Sequence, residues 1–406
     1  MNILFVVPYV PSLVRVRPYN LIRFLTARGH QVTVLTLWTN AEERAEAEAL
    51  RAHCQRVVAW PMPRWRSFAN CLLALPQRLP LQAVYSWHEP LVASVLAEGA
   101  AYDVIHVEHL RGARYGLYLQ AQLARRAQPT PVVWDSVDSI SLLFRQAAAR
   151  SKRLTSRLLT AFELGRTEWF EQQLLLHFRD ALVTAPADRD ALNALLPPGA
   201  KAAKIHLLPN GVNLHYFKPN LDVTREPQTL VVSGKMSYHA NVTMTLELAQ
   251  QVMPRLWATH PQARLCIVGK DPTPAIQDLA RQPGITVTGT VSDIRPYLQK
   301  ATLAVAPIAY GVGIQNKVLE AMACGTPVVC SRQAISALQA EPGRELAVAD
   351  GPEAFAAEVA RLLDDPTERE RLGRAGQQYV ETRHDWQTIA AQVEQIYQSA
   401  RERAVE

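Results

Sequence analysis

Residues 302–330 read TLAVAPIAYGVGIQNKVLEAMACGTPVVC, and the fold class follows from this segment. An apolar run ends at Pro307, and a loop with two glycines follows it. A helix is predicted from Asn316 to just before Gly325, a residue that suits the end of a helix. A second apolar run begins directly after this helix. A strand, a helix and a strand in this order are typical of a parallel βαβ unit.

The same alternation of short apolar runs and amphipathic stretches extends over most of the chain. Further strand candidates are NILFVV (2–7), QVTVLTL (31–37), YDVIHV (102–107), PVVWD (131–135), DALVTA (180–185), LVVSG (230–234), RLCIVG (264–269) and ITVTG (285–289). Continuous Val, Ile and Leu runs fit strands that are covered on both faces. The sequence therefore predicts an α/β protein with two doubly wound, Rossmann-like parallel sheets.

Three segments are expected. Pro209, Asn210 and Gly211 form a strong turn signal between the two series of strands. We therefore predict an N-terminal domain over 1–211 and a C-terminal domain over 212–384. A break in the helical pattern near His384 separates a last helix, 385–406, which is expected to cross back to the N-terminal domain. In parallel sheets ligands bind at the carboxyl ends of the strands, so the expected site lies between the two sheets.

Composition excludes several classes of protein. The 406 residues include 43 Lys and Arg and 37 Asp and Glu, so the chain is mildly basic. This charge fits an anionic ligand or an anionic membrane surface. No compact basic and aromatic module of the kind that binds nucleic acid is present in the sequence. The five cysteines show no C-x-x-C spacing, which argues against zinc and disulfides and favours a reducing cytoplasm. The N-terminus MNILFVVPYV is interpreted as a strand and not as a signal peptide, and no apolar run is long enough to span a membrane.

The predicted helix at Asn316 carries the features of a nucleotide site. Its first N–H groups have no partner within the helix and can bind a phosphate. Lys317 adds a positive charge, and the carboxylate of Glu320, about one turn further on, can accept both hydroxyls of a ribose diol. A nucleoside diphosphate would use all three features. The alternative is a surface ion pair between Lys317 and Glu320, three residues apart.

Four stretches together resemble one enzyme family. They are GIQNKVLEAMA (313–323), LLPNGVNLHYFKP (207–219), SGKMSYHANV (233–242) and ITVTGTVSDIRPYL (285–298). They are similar to segments of the retaining glycosyltransferases of family 4, which have the GT-B fold. The closest resemblance is to the sugar transferases that accompany PEP-CTERM/exosortase exopolysaccharide clusters.

The resemblance implies a set of donor residues. Glu320 takes the position that binds the donor ribose, and Lys235 a position that holds the diphosphate. Two family charges are missing: Val312 replaces the first Glu of the Glu-x7-Glu motif, and Ala240 replaces a second cation, whose role Lys317 is expected to take. The full set of predicted donor-binding residues is Gly234, Lys235, Gly289, Val291, Gly313, Ile314, Gln315, Asn316, Lys317 and Glu320. The donor is a substrate, and neither a cofactor nor a metal is implied.

Acceptor residues are predicted in the N-terminal domain. Asp135 and Asp138 follow the strand candidate at 131–135, where Asp135 could orient an acceptor hydroxyl or take its proton. For both residues the alternative is to cap the next helix, which we favour for Asp138. Arg17 is expected to meet an acceptor phosphate or to be solvated. His109 is a weaker candidate, since a histidine after a strand is often structural.

Two basic segments, 59–87 and 143–163, allow two interpretations. Both mix large apolar side chains with arginines, as peripheral membrane contacts do. The alternative is a set of ordinary amphipathic helices with one buried face. An enzyme at the inner face of the cell membrane is the corresponding expectation for location.

The predicted function is transfer of a sugar from a nucleoside diphosphate sugar to a glycan or lipid-linked acceptor in cell-surface or exopolysaccharide synthesis. Catalysis is assigned to Lys235, Lys317, Glu320 and Asp135, without a metal. The pair Asp188 and Asp190 has the spacing of a metal site, but a helix start explains it as capping. A sugar-nucleotide epimerase and a catalytically silent binding subunit are the two alternatives. A dinucleotide oxidoreductase is excluded, because the first strand lacks G-x-G-x-x-G.

Overall fold

The protein divides into two compact units. Its structure is a computed structural model that describes residues 1–97, 101–125, 130–150, 154–310 and 314–405. One unit consists of Met1–Pro209 together with Gln387–Glu406, and the other of Asn210–Trp386. The C-terminal helix thus belongs to the same unit as the N-terminus.

A parallel sheet forms the centre of the first unit. Its strands are β1 (Asn2–Val7), β2 (Gln31–Trp38), β3 (Arg56–Pro61), β4 (Val104–Glu108), β5 (Val132–Val137), β6 (Asp180–Val183) and β7 (Lys204–Leu207). They pair in the order β3-β2-β1-β4-β5-β6-β7. The chain adds β2 and β3 on one side of β1 and β4 to β7 on the other. The first switch point, where the order reverses, therefore lies between β1 and β4.

The second unit repeats this plan. Its strands are β8 (Thr229–Ser233), β9 (Arg264–Val268), β10 (Ile285–Val287), β11 (Leu303–Ala306), β12 (Val328–Cys330) and β13 (Ala347–Val348). They pair in parallel in the order β10-β9-β8-β11-β12-β13. The second switch point lies between β8 and β11.

Helices connect the strands in both units. Those of the first unit are α1 (Val16–Ala27), α2 (Ala41–Leu50), α3 (Arg64–Ala74), α4 (Leu81–Tyr85), α5 (Glu89–Ala97), α6 (His109–Arg125), α7 (Ile140–Arg150), α8 (Leu154–His177) and α9 (Pro186–Asn193). Those that follow are α10 (His239–Glu247), α11 (Met253–Trp257), α12 (Pro274–Gln277), α13 (Arg295–Lys300), α14 (Asn316–Ala323), α15 (Pro352–Asp364), α16 (Pro366–Arg383) and α17 (Trp386–Val405). The predicted break at His384 is confirmed, since it separates α16 from α17.

The predicted fold class is confirmed, and the strands that the sequence did not reveal lie at sheet edges. Ile3 to Val7 of β1 are fully buried, as the continuous apolar run predicts. By contrast, β3, β7 and β13 are edge strands, and most residues of β3 and β7 are partly exposed. The segment 59–87, interpreted either as a membrane contact or as amphipathic helices, begins inside β3 and continues through α3 and α4.

Helix α17 is anchored in the first unit. Ile389, Val393 and Tyr397 are fully buried, and the Tyr397 hydroxyl lies 2.8 Å from Nδ1 of His106 on β4. Arg403 pairs with Asp180 on β6 at 2.7 Å. The helix therefore contributes directly to the core around β4 and to the stability of that unit.

Candidate active site

The second switch point brings together the loops that follow β8 and β11. Connections leaving these two neighbouring strands run to opposite sides of the sheet, and a crevice forms where they part. Gly234 and Lys235 follow β8 directly, while the loop after β11 leads into α14. The predicted donor residues at 234–235 and 314–320 thus belong to the two loops that border this crevice.

Helix α14 has the bounds expected from the sequence. Its buried side, Val318, Leu319 and Met322, packs into the unit. Gly325 ends the helix with φ of +67°, a backbone conformation that glycine adopts easily. At the other end Gln315 supplies no side-chain cap, and the N–H of Val318 donates to the Gln315 carbonyl. Among the described residues no group accepts from the N–H of Asn316 or Lys317, so these two stay available to a ligand.

Lys317 is held in place by an amide. Its ammonium donates a hydrogen bond to Oδ1 of Asn241, and Nδ2 of Asn241 donates to the carbonyl of Lys235 at 2.9 Å. Burial lowers the pKa of Lys317 to about 8, and the nearby Glu320 opposes this shift. Asn241 lies next to Ala240, the position at which the family cation is missing, and the sequence analysis did not identify it.

Gly234 allows this close approach. A Cβ at this position would lie 2.8 Å from Nδ2 of Asn241 and 3.4 Å from Nζ of Lys317, and its φ is +148°. Any larger residue would displace the amide that holds the lysine. Gly234, Asn241 and Lys317 therefore form one structural group at the carboxyl end of β8.

Glu320 lies one turn further along α14 and is half-buried. Burial raises the pKa of its carboxyl to about 7, and the charge of Lys317 counteracts this. Within the described part of the chain, Lys317 and Glu320 do not form an ion pair with each other or with another residue. The alternative of a surface ion pair is therefore wrong, and both charges remain available.

Three glycines align the neighbouring strand ends. The N–H of Gly234 donates to the carbonyl of Val268 at 3.1 Å, and that of Gly269 to the carbonyl of Gly289 at 3.3 Å. A Cβ on Gly269 would lie 1.7 Å from the Gly234 carbonyl oxygen, so only glycine fits. The sequence analysis named Gly234 and Gly289 but missed Gly269, although it follows an apolar strand as they do.

The structure gives less information on the roles of the other predicted donor residues. Lys235 is half-exposed and lies 3.9 Å from Asp271. Val291 is half-buried, as are Gln315 and Asn316, whereas Ile314 is buried. Oδ1 of Asn316 is buried without a partner among the described residues. Val312 and Gly313 lie outside the described residues.

An aromatic contact connects α10 to the loop after β11. The His239 ring stacks on Tyr310 with centroids 5.3 Å apart, and its Nδ1 lies 2.9 Å from the Tyr310 hydroxyl. Thr243 contacts the same hydroxyl at 3.2 Å. This contact positions the residue from which the loop continues towards α14.

Asp293 caps α13. Its Oδ1 accepts the N–H of Arg295 at 2.9 Å, and its carboxylate pairs with the Arg295 side chain at 2.7 Å. The Tyr216 hydroxyl donates to the same carboxylate at 3.1 Å. Asp293 therefore has a structural role.

Beside the first switch point, an internal ion pair joins the start of α1 to β5. Nε of Arg17 lies 2.7 Å from Oδ2 of Asp135, and Nη2 lies 3.1 Å from Oδ1. Asp135 is fully buried, and Arg17 is 4% exposed. Nη1 of Arg17 also donates to the Leu208 carbonyl at 2.9 Å.

This pairing corrects two interpretations. Arg17 is neither solvated nor presented to an acceptor phosphate, because its guanidinium is buried against Asp135. Asp135 cannot accept an acceptor proton from this position, since both of its oxygens are engaged and no part of it is exposed. Arg17 and Asp135 are better described as residues that hold the surrounding backbone in position.

Glu108 and His109 follow at the end of β4. The Tyr9 hydroxyl donates to Oε1 of Glu108 at 2.9 Å, and burial next to Asp135 raises the pKa of this carboxyl to about 8. His109 has φ of +61°, unusual for a residue with a side chain. Burial lowers the pKa of its imidazole to about 4. Glu108 was not identified from the sequence.

Three aspartates that were expected to cap helices, Asp138, Asp188 and Asp190, make other contacts than those predicted. Asp138 does not cap α7 but accepts from the Thr184 hydroxyl at 3.1 Å. The N–H of Ser139 donates to Asp188 at 2.9 Å, and that of Ile140 to Glu171 at 2.8 Å. Thus Asp188 caps α7 and not its own helix.

Asp190 is exposed beside Arg189, so the capping explanation was wrong for Asp190, and for Asp188 it named the wrong helix. The two carboxylates have separate structural surroundings. Among the described residues, no group of three or more His, Cys, Asp or Glu side chains has a metal-binding arrangement.

Comparisons with known proteins agree with this architecture. Over 98% of both chains, the fold superposes on sucrose-phosphate synthase from Thermosynechococcus elongatus with a TM-score of 0.69 and 21% identity. The Alr3699/HepE protein of Anabaena, solved with UDP and glucose, gives 0.67 at 16% identity over 98% of this chain and all of that one. The fold is of the GT-B class.

The family models cover most of both units. Residues 14–211 match the glycosyl transferase 4-like domain, and residues 227–365 match glycosyl transferases group 1. The chain therefore carries a glycosyl transferase 4-like domain followed by a domain of the glycosyl transferases group 1 family. Glycogen synthase of Mycobacterium tuberculosis is 29% identical over 254 residues, which span 59% of this chain and 58% of that enzyme. No helix in the described part of the chain is long and apolar enough to cross a membrane.

Proposed function

We propose that the protein is a retaining glycosyltransferase of family 4 that transfers a sugar from a nucleoside diphosphate sugar. The observation that carries this proposal is the pair Lys317 and Glu320 at the second switch point, where both charges are half-buried without an ionic partner among the described residues. Partly buried charges are costly unless something compensates them. A ligand with an anionic group and a diol would do so.

Each part of the donor would have a separate partner in the second unit. The N–H groups at the start of α14, together with Lys317 and Lys235, would bind the diphosphate. The Glu320 carboxylate would accept the hydroxyls of the ribose. The backbone at Gly289 and Val291, at the end of β10, would lie against the base. HepE binds UDP, and we take a uridine nucleotide as the first donor to test.

Catalysis would rest on stabilising the leaving group. Negative charge develops on the diphosphate as the bond to the sugar breaks, and cations already aimed at it lower the barrier. Lys317 suits this role because Asn241 fixes its ammonium before the ligand binds. The diphosphate can then take the acceptor proton on the face from which it leaves, which gives retention. No metal is required in this scheme.

The acceptor would be a glycan or a lipid-linked glycan in cell-surface or exopolysaccharide synthesis. We propose a cytoplasmic enzyme that meets this acceptor at the inner, anionic face of the membrane. His109 and Asp138 remain candidates for acceptor binding, since both lie at strand ends of the first sheet. Arg17 and Asp135 would act only by positioning the backbone around them.

Turnover of UDP-glucose tests the proposal against its two alternatives. The purified protein is incubated with UDP-glucose, and the products are followed by nuclear magnetic resonance. We expect slow release of UDP with α-configured glucose as the first sugar product, and no release by Lys317→Gln. A new sugar nucleotide would identify an epimerase instead. Tight binding without any turnover, on this donor and on a panel of other nucleotide sugars, would identify a silent binding subunit.

A further inference from the structure

Helix α3 turns its large apolar side chains outward. Trp65, Phe68, Leu72 and Leu73 are between 68% and 79% exposed. The side that faces the protein carries small residues, since Ser67 and Ala74 are each only 2% exposed. An ordinary surface helix shows the reverse pattern, with its large apolar residues buried. Together with Leu75, the four exposed residues are called the α3 face below.

Polar contacts hold α3 without using this face. The Arg166 guanidinium donates to the carbonyls of Ala74 at 3.2 Å and Leu75 at 2.5 Å, and also to that of Gln77. Nδ2 of Asn70 donates to the Trp87 carbonyl at 2.9 Å. The helix is therefore held at its C-terminal end and on its inner side, and the side chains of the α3 face make none of these hydrogen bonds.

The surroundings of the α3 face are positively charged. Residues 49–88 contain five arginines and no aspartate or glutamate. Arg64 and Arg78 are exposed, and Arg66 is half-buried. None of these three forms an ion pair within the described residues. An anionic partner would supply the missing counter-charge.

We propose that the α3 face binds the surface of a bilayer that contains anionic phospholipid. Trp65, Phe68 and Leu72 enter the boundary between headgroups and acyl chains, while Arg64 and Arg78 contact lipid phosphates. A second copy of the chain is a poor partner, because residues 49–88 of each copy carry five arginines and no acidic residue, so two such faces would repel each other. The inference locates the membrane contact of the proposed function and does not depend on sugar transfer.

Flotation with vesicles tests this inference without any donor or acceptor. The full-length protein is mixed with vesicles of phosphatidylcholine and phosphatidylglycerol, or of phosphatidylcholine alone. We expect strong binding to the anionic vesicles only. The variant Trp65→Ser/Phe68→Ser/Leu72→Ser should bind at least about tenfold more weakly. Each of Arg64→Gln and Arg78→Gln should cost about fivefold at low salt.

The matched control is Leu221→Ser, which removes another large apolar side chain that is 97% exposed. It should bind like the wild-type protein. Circular dichroism and UDP binding show whether the variants remain folded. Equal binding by the triple variant, or no binding by the wild type, overturns the inference. So does a concentration-dependent dimer in sedimentation that the triple variant abolishes. None of these results bears on whether UDP-glucose is turned over.

Discussion

The two switch points use their charged residues in opposite ways. Beside the switch between β1 and β4, the structure pairs Arg17 at the start of α1 with Asp135 on β5 in a buried internal contact. Between β8 and β11 it keeps Lys317 and Glu320 half-buried, and neither has an ionic partner among the described residues. The sheets have the same parallel plan, so the difference lies in the side chains that each unit places near its switch point.

This difference separates structural from functional charge. Breaking a compensated buried pair leaves one charge without a partner, so such pairs matter for stability. Charges that stay uncompensated at the carboxyl ends of strands lower stability and are typical of binding sites. Substitutions at the first switch point should therefore change folding, and those at the second should change ligand binding.

The largest effect is expected from Asp135→Ala. It leaves the Arg17 guanidinium buried without its counter-ion, which should lower the free energy of unfolding by about 3–5 kcal/mol. Urea unfolding measures this loss. The double variant Arg17→Met/Asp135→Leu should recover much of it, because neither charge then remains buried. Unchanged stability together with lost transfer would mean that Asp135 contacts the acceptor.

The next largest effect concerns Lys317→Gln. Losing hydrogen bonds between its charged ammonium and a diphosphate should weaken UDP binding by about 1.5–3 kcal/mol. The free energy of unfolding should not fall, since a partly buried charge is removed. Calorimetry with UDP measures the affinity, and Lys201→Gln, at an exposed position of the first unit, serves as the control. If Lys317→Gln reduced stability and left affinity unchanged, the contrast between the two switch points would be lost.

A smaller effect is expected when the affinity for UDP-glucose is measured as a function of pH. The diphosphate of UDP-glucose does not titrate near neutrality, so a change in affinity reports on groups of the protein. Glu320 must be ionised to accept both ribose hydroxyls, and burial holds its pKa at about 7. Lys317 loses its charge as the pH rises above its pKa of about 8. Affinity should therefore rise roughly fivefold from pH 6 to 7.5 and then fall. In Glu320→Gln the rising part should be absent, and a profile identical to that of the wild type would contradict this assignment.

The same carboxyl predicts a change in stability with pH. Its folded pKa of about 7 lies above the ordinary value of 4.5. The folded state therefore holds a proton that the unfolded state has released, and stability falls as pH rises between these values. Glu320→Gln should remove this decline. Urea unfolding at pH 5 and pH 8 checks it, and an equal decline in both proteins would show that Glu320 is not its source.

The smallest effect is expected from metal removal. The diphosphate would be balanced by Lys235, Lys317 and the start of α14, so treatment with EDTA should leave UDP release nearly unchanged. Asp190→Asn should likewise change little, because this carboxylate is exposed beside Arg189. Activity that is lost with EDTA and restored by Mg²⁺ or Mn²⁺ would place the donor site elsewhere.

The sequence predicted local features well. Continuous apolar runs identified the central strands, and the bounds of α14 followed from Asn316 and Gly325, because helix ends depend on nearby residues. Edge strands such as β7 were missed, since their residues are partly exposed and do not form an apolar run.

Features that depend on distant parts of the chain were not predicted. Arg17 and Asp135 are 118 residues apart, and Asn241 and Lys317 are 76 apart. Only the order of strands in each sheet brings these partners together. The sequence therefore identified Lys317 and Glu320 as candidates, but it did not indicate that Asn241 holds the lysine or that Asp135 is paired with Arg17.

The central claim is that Glu320 binds the ribose diol of the donor nucleotide at the second switch point. Calorimetry with UDP and with 2′,3′-dideoxyuridine diphosphate, on wild type and Glu320→Ala, tests it most directly. We predict that the wild type binds UDP more tightly than the dideoxy nucleotide by about 1.5–3 kcal/mol. Glu320→Ala should bind both nucleotides equally. The control Glu370→Ala, at an exposed position on α16, should behave like the wild type. An undiminished preference for UDP in a folded Glu320→Ala protein would contradict the claim.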